Sequence, residues 1–231
     1  MSETVAISTL DGESRFAAYC ARPEGEPRAA IVVIQEIFGV NAGIRRKCDR
    51  LAADGYLALA PDLFWRLEPG VELDPDVAAE FQQALGLMGR FDQDQGVADI
   101  EATIRHARGL GCAKVGAVGY CLGGRLAFMV AARTDADASV GYYAVGVDNL
   151  LREKHAIARP LMLHLAGADH FVPPPVQQAM HEGLDDHPKV ALHDYPGEDH
   201  GFATETGARR SEAAAQLADS RTAAFFAEHL G

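Results

Sequence analysis

Short apolar runs alternate with longer amphipathic stretches along the chain, which predicts strands connected by helices. The predicted strands are residues 5–9, 16–20, 30–35, 57–60, 114–119, 139–143, 161–165 and 190–193. The predicted helices run from Asn41 to near Gly55 and over residues 79–88, 97–108, 122–132, 174–184 and 209–229. This order is typical of an α/β fold with a mostly parallel central sheet and helices on both faces. We find no repeat or linker, so the pattern predicts one domain over residues 1–231.

Turn and cap residues mark the ends of several elements. Asp11-Gly12 between the first two strands predicts an antiparallel hairpin at the edge of the sheet. Asn41 is a good N-terminal cap for the first helix, and Pro61 is expected to stop the fourth strand. These signals support the boundaries that the apolar pattern gives.

Composition and charge exclude several classes of protein. With 48% hydrophobic and 23% charged residues, the 231-residue chain has the composition of an ordinary globular protein. A net charge of −12 argues against nucleic acid or an anionic membrane as a partner, because both attract clustered Lys and Arg. The N-terminal residues lack a basic segment followed by an apolar run, so we expect a cytoplasmic protein. Nothing in the pattern requires more than a monomer.

Four cysteines lie scattered along the chain without the short paired spacings of a zinc site. We therefore expect a reducing compartment and no structural metal. Cys20, Cys48 and Cys112 are interpreted as small buried apolar residues. Cys121 differs from them because of its neighbours.

Cys121 lies in the segment Gly119-Tyr120-Cys121-Leu122-Gly123-Gly124, between a predicted strand and a predicted helix. A strand that turns at once into a helix strains the central residue and leaves little room beside it, which explains the flanking glycines. Such an elbow presents a nucleophile at a helix N-terminus, where the dipole favours a thiolate. The alternative is a chance Gly-x-Cys-x-Gly in a glycine-rich strand end, with Cys121 as another buried apolar residue.

Two later loops supply a base and an acid, and both follow strands whose carboxyl ends form the ligand-binding edge of an open sheet. His200 lies after the last strand, where the base of a Ser-or-Cys hydrolase reaches back to the nucleophile. Asp169 follows the preceding strand and is predicted to orient the imidazole, although it could be an ordinary turn residue. Asp199 is a rival acid, but adjacent residues rarely point at each other.

Glu36 follows the third predicted strand, between Gln35 and Ile37. If its carboxylate points inward, it would accept a hydrogen bond from the Cys121 thiol or act as its base. A solvent-exposed turn carboxylate is the alternative. The amides of Ile37 and Leu122 are the predicted oxyanion hole.

Taken together, these motifs resemble the dienelactone hydrolase family over nearly the whole chain. The resemblance rests on Gln35-Glu36-Ile37-Phe38-Gly39-Val40-Asn41, Ala60-Pro61-Asp62-Leu63, the cysteine elbow, Val140-Gly141-Tyr142-Tyr143, Gly167-Ala168-Asp169-His170-Phe171-Val172-Pro173 and His200-Gly201-Phe202. It implies an α/β-hydrolase fold and a triad of Cys121, Asp169 and His200. Glu36 would hold the thiol until substrate binding frees the carboxylate to take its proton.

The resemblance also implies a small lactone or ester as the partner, opened through an acyl-enzyme without any cofactor or metal. Dienelactone, hydrolysed to maleylacetate in the degradation of aromatic compounds, is the best single expectation for the substrate. The implied substrate-contacting residues are Phe38, Phe81, Tyr142, Phe171 and Thr204.

One departure from the family affects the choice of substrate. Family members that act on dienelactone bind its carboxylate with two arginines, and those places hold Phe81 and Thr204 here. An aromatic ring or a hydroxyl cannot replace a bidentate guanidinium. Arg66, Arg90 and Arg125 are the candidates for a substitute.

Three alternatives remain open on the sequence alone. A broader carboxylesterase or thioesterase is favoured if Phe81 and Thr204 make the pocket less selective for anions. A redox-sensing, chaperone-like or glutamine amidotransferase-like protein also places a cysteine on an elbow, but there the histidine follows the cysteine closely. A catalytically silent binding protein is the third alternative, and the complete triad argues against it.

Overall fold

The computed structural model describes residues 1–205 and 207–231. The strands are β1 (Ser2–Ser8), β2 (Arg15–Ala21), β3 (Ala30–Ile34), β4 (Leu57–Pro61), β5 (Val115–Tyr120), β6 (Ala138–Tyr142), β7 (Leu161–Ala166) and β8 (Val190–Tyr195). The α-helices are α1 (Ala42–Ala53), α2 (Ala78–Met88), α3 (Gln93–Gly109), α4 (Leu122–Arg133), α5 (Pro174–Leu184) and α6 (Glu212–Leu230). A 3₁₀ helix covers Val147–Ala156. Among the described residues, no helix has the length and apolarity needed to cross a bilayer.

The eight strands form one sheet in the order β1-β2-β4-β3-β5-β6-β7-β8. β1 and β2 form the predicted antiparallel hairpin at the sheet edge, and β2 also pairs antiparallel with β4. β3 pairs parallel with β4, and β7 pairs parallel with both β6 and β8. β3, β4, β5, β6 and β7 are buried at every position, as expected for strands covered on both faces. The α/β class and the mostly parallel sheet are therefore confirmed.

The chain divides into two compact units, Met1–Gly116 and Ala117–Gly231. In the first unit, Asn41 caps α1 as predicted, because its side chain accepts a hydrogen bond from the Ile44 amide at 3.2 Å. In the second unit, nine of the twelve residues of α4 are buried. The helix that follows the elbow is therefore packed against the rest of its unit along most of its length. The expectation of a single domain stays a prediction.

Most predicted elements lie within a few residues of the observed ones, and the differences have local causes. α3 starts four residues earlier than predicted, because Asp92 caps it through the amides of Asp94 and Gln95 while its first turn lacks apolar periodicity. Pro61 ends β4 from inside the strand. The helix expected from residue 209 begins at Glu212.

The 3₁₀ helix was not predicted from the sequence. Only Val147 and Leu150 are buried along its ten residues, so it carries too little apolar periodicity to be recognised. Gly146 precedes it in the left-handed conformation with φ of 77°. A short helix of this kind is set by the turn before it more than by its own pattern.

Candidate active site

Cys121 occupies a strained turn between β5 and α4. Its φ of 56° and ψ of −113° lie outside the regions that a residue with a side chain normally adopts. Helix α4 starts at the next residue, Leu122, whose amide belongs to the first turn, where N–H groups have no partner within the helix. The strained elbow predicted from the flanking glycines is confirmed.

Contacts around the elbow explain why its glycines are needed. A β-carbon on Gly119 would lie 1.9 Å from the carbonyl oxygen of Gly123, and one on Gly124 would lie 2.5 Å from the carbonyl oxygen of Tyr142. The amide of Cys121 donates to that same Tyr142 oxygen at 3.1 Å. The end of β6 therefore holds the elbow in place through the backbone.

Asp169 and His200 form a buried pair. The Nδ1–H of His200 donates to Oδ2 of Asp169 at 2.8 Å, and the two residues are only 3% and 2% exposed. The other carboxylate oxygen, Oδ1, accepts the Phe171 amide at 2.8 Å. With Nδ1 engaged, Nε2 is the ring nitrogen left for another partner, which is the arrangement of an acid that fixes the tautomer of a base.

The environment of His200 favours its charged form. Burial lowers the pKa of the imidazole, but the charge of the Cys121 sulfur, the hydrogen bond that His200 donates to Asp169 and a hydrogen bond with Cys121 raise it, and the net result is a pKa of about 10. His200 thus interacts with both other members of the predicted triad. An imidazolium held beside a sulfur is the environment that stabilises a thiolate nucleophile.

The rival acid, Asp199, points elsewhere. Its Oδ1 accepts from Nδ1 of His170 at 2.9 Å and from the backbone amide of His200 at 2.7 Å. The carboxylate therefore does not take the place of Asp169 at the imidazole of His200.

Two aromatic rings flank the imidazole of His200. The ring of Phe171 lies 4.9 Å away, edge to face, and this side chain is 44% exposed. The ring of Tyr143 lies 5.0 Å away and is buried. Phe171 thus combines contact with the base and access to solvent, as its predicted role in substrate binding requires.

Tyr142 does not occupy the position expected of a substrate-contacting residue. Its side chain is 1% exposed, and its hydroxyl bonds to Thr222 at 2.6 Å and to Asp219 at 3.1 Å on α6. The tyrosine beside His200 is the next residue, Tyr143, which lies just after the end of β6. The geometry favours Tyr143 in place of Tyr142.

Thr204 lies four residues after His200 and is 8% exposed. Its hydroxyl has no hydrogen-bond partner among the described residues, whereas its carbonyl oxygen accepts from Nη1 of Arg210 at 2.8 Å. A buried hydroxyl without a partner is costly, which makes it a candidate to bind a polar group of a ligand.

The remaining predicted residues lie in the first unit. Glu36 is 8% exposed, so it is a buried carboxylate and not the solvent-exposed turn residue considered above. Ile37 and Phe38 are buried beside it in the chain, and the ring of Phe38 lies 5.8 Å from that of Phe81. The roles of these four residues in catalysis or binding stay predictions.

Comparison with known proteins gives the family. The model of the dienelactone hydrolase family matches residues 16–230. The chain belongs to this family. It is 42% identical to a carboxymethylenebutenolidase from Pseudomonas putida, over 98% of this chain and 97% of the relative. It is 39% identical to carboxymethylenebutenolidase 1 from Cupriavidus pinatubonensis, over 96% and 95% of the two chains.

Solved structures agree with the family assignment. A Klebsiella pneumoniae protein provisionally named a dienelactone hydrolase superposes with a TM-score of 0.84, at 28% identity and 99% coverage of both chains. A dienelactone hydrolase-like promiscuous phosphotriesterase from metagenomic libraries gives a TM-score of 0.77, at 19% identity and coverage of 100% of this chain and 99% of the other. The second comparison concerns the fold alone. The α/β-hydrolase fold implied by the sequence is confirmed for this member of the dienelactone hydrolase family.

Sequence reasoning missed three residues of this family member, two beside His200 and one in the loop after β3. Tyr143 has a strained φ of 37°, which its neighbours in the sequence do not reveal. Gln35, fully buried, accepts the Leu63 amide and donates to the Glu36 carbonyl oxygen, so it fixes the loop after β3. A polar residue at the end of an apolar strand was the available signal for Gln35. Asp199 was considered only as an acid, and its contacts to two backbone amides have no signature in the sequence.

Replacing the sulfur should change the titration of His200. In Cys121→Ala, the two upward contributions of Cys121 disappear while burial still opposes the charge, so the pKa of His200 should fall by more than about 1 pH unit. The pKa of His200 is measured from the chemical shifts of its imidazole nitrogens in an NMR pH titration. Cys112→Ala removes a buried thiol from the first unit and should leave the pKa of His200 unchanged. An unaltered pKa in Cys121→Ala would show that the sulfur does not interact with the imidazole.

Proposed function

We propose that this protein hydrolyses a small lactone or carboxylic ester through a thioester on Cys121, with His200 as the general acid and base and Asp169 as the residue that orients it. The observation that carries the proposal is the buried Asp169–His200 pair hydrogen-bonded to a cysteine on a strained elbow. Family membership supports the reaction class. The names of the relatives support dienelactone as the first substrate to test.

The first half of the reaction forms the acyl-enzyme. The thiolate of Cys121 attacks the carbonyl carbon, a C–S bond forms, and the carbonyl π electrons move to oxygen. The Leu122 amide would donate to that oxyanion, and its position in the first turn of α4 supports this role. Collapse of the intermediate breaks the C–O bond, and the imidazolium of His200 gives its proton to the leaving oxygen. In a lactone the leaving oxygen stays attached to the acyl group.

The second half consumes water. Neutral His200 takes a proton from water, the hydroxide attacks the thioester carbonyl, and the C–S bond breaks to release the carboxylic acid and the thiolate. The proton taken from water leaves the imidazole charged again, so release of the thiolate restores the starting pair of charges. Asp169 accepts the Nδ1–H throughout, so it stabilises the cation in both halves without changing its own protonation.

Substrate choice depends on the positions where other family members carry arginines. Thr204 offers a buried hydroxyl without a partner, and Phe81 packs beside Phe38. Neither side chain can neutralise a carboxylate. We therefore propose that neutral aryl esters or thioesters are turned over alongside the anionic lactone, which keeps a broader carboxylesterase or thioesterase activity as the second candidate.

Location and assembly belong to the same proposal. All four cysteines are free, which supports a reducing compartment such as the cytoplasm. A monomer carries the whole proposed triad in the single unit Ala117–Gly231.

The nucleophile can be tested by substitution. Cys121→Ala should lower kcat/KM by more than about 1,000-fold on every substrate that the enzyme accepts, because the attacking atom is gone. Steady-state kinetics on cis-dienelactone, p-nitrophenyl acetate and an acyl thioester measure the loss, and circular dichroism checks the fold. Cys112→Ala is the matched control. Full turnover by a folded Cys121→Ala protein would exclude the proposal.

Selectivity for anions can be tested at Thr204. The wild-type enzyme should show similar kcat/KM, within about tenfold, for cis-dienelactone and a neutral aryl ester, since no bidentate arginine stands at either family position. Thr204→Arg should raise the ratio in favour of the lactone by about tenfold or more, whereas Thr204→Gln, of comparable length without charge, should not. Strong preference of the wild type for the anionic lactone would contradict this view of the pocket.

A further inference from the structure

Asp199 makes three contacts with the loops that carry the acid and the base. Its Oδ1 accepts the backbone amide of His200 at 2.7 Å, Nδ1 of His170 at 2.9 Å and, more weakly, the backbone amide of His170 at 3.4 Å. His170 directly follows Asp169 in the chain. One carboxylate oxygen of Asp199 therefore connects His170, the residue after the proposed acid, to the backbone of the proposed base, His200.

The two loops come from different strands and need such a connection. Asp169 follows β7 and His200 follows β8. Two backbone hydrogen bonds join the loops where they leave the sheet, from Gly167 to Tyr195 at 2.9 Å and from Ala168 to Glu198 at 2.8 Å. Beyond these two backbone hydrogen bonds, the side chain of Asp199 adds a further contact between the loops, at the residue just before His200.

The carboxylate is charged and accessible. Hydrogen bonding from His170, above all, and from the two backbone amides lowers the pKa of Asp199, while slight burial opposes this. The side chains of Asp199 and His170 are both 61% exposed. Exposed polar pairs of this kind contribute little to folding, so the contribution of Asp199 lies in the backbone amide of His200 that it accepts.

We propose that Asp199 is a positioning residue, which holds the backbone of His200 in the place where its imidazole reaches Asp169 and Cys121 together. Asp199 contacts no reacting atom in this account. The inference rests on the proposed function, because it takes His200 as the general base. Its physical basis is that small displacements of a base relative to its partners reduce the rate of proton transfer steeply.

The test compares two substitutions. Asp199→Ala removes the acceptor and should lower kcat by about tenfold with KM changed by less than about twofold, because geometry and not substrate affinity is disturbed. Asp199→Asn keeps an oxygen that can accept the same amide, so it should retain kcat to within about threefold. A melting temperature for each variant shows that the fold is retained.

Asp185→Ala is the matched control. Asp185 also pairs with a histidine, the half-buried His181 at 2.9 Å, in the same unit but at the end of α5. Its loss should leave kcat unchanged. If Asp199→Ala has the kcat of the wild type, or if Asp199→Asn loses as much as Asp199→Ala, the positioning role is excluded.

A spectroscopic readout separates this inference from the proposed function. The Nδ1 proton of His200, bonded to Asp169, should give a downfield NMR resonance in the wild type that shifts or broadens in Asp199→Ala and is kept in Asp185→Ala. An unchanged resonance in Asp199→Ala would overturn the inference. If the wild type hydrolyses no ester, the proposed function fails, while the resonance still tests whether Asp199 positions His200.

Discussion

The chain has to pass from β5 into α4 through a single residue, and that residue carries the proposed nucleophile. A side-chain-bearing residue at φ of 56° costs on the order of 1–3 kcal/mol, so the surroundings must impose it. They do so through the close approach of Gly119 to Gly123 and through the hydrogen bond from the Cys121 amide to Tyr142. The elbow holds the Cys121 sulfur beside the first turn of α4. The proposed base and the acid that orients it can act only if they lie within reach of that sulfur.

Burial and charge oppose each other at His200, and the charged form of the imidazole is favoured. An isolated buried imidazole would be neutral, because leaving water costs its cation more than its neutral form. The sulfur and the carboxylate of Asp169 reverse that preference and raise the pKa to about 10. The same two contacts hold the charged imidazole next to the sulfur of Cys121 and the carboxylate of Asp169.

Much of the architecture could be predicted because it depends on local patterns. Strands buried on both faces appear as short apolar runs, and Asn41 and Asp11-Gly12 mark a cap and a hairpin by their own chemistry. Cys121, Asp169 and His200 could be selected because each follows a strand at the binding edge of the sheet. The order of these loops also suggested their roles as nucleophile, acid and base, and resemblance to the family implied the same triad.

The rest depends on contacts between distant parts of the chain. Which of the adjacent tyrosines, Tyr142 or Tyr143, lies beside His200 depends on the orientation of the strand end, and the sequence does not reveal that orientation. The contacts of Asp199 depend on two loops meeting, and the early start of α3 depends on a polar first turn. The predicted roles of Glu36, Ile37, Phe38 and Phe81 involve substrate or the elbow, and they stay predictions.

The central claim is that the acyl group passes through the sulfur of Cys121. Acid quenching of the wild-type enzyme within its first turnover of p-nitrophenyl acetate, followed by peptide mass spectrometry, tests this most directly. The account predicts an acetyl group on the peptide that contains Cys121 and none on the peptides that contain Cys20, Cys48 or Cys112. An acetyl group on any other residue, or rapid release of nitrophenol with Cys121 never modified, would contradict it.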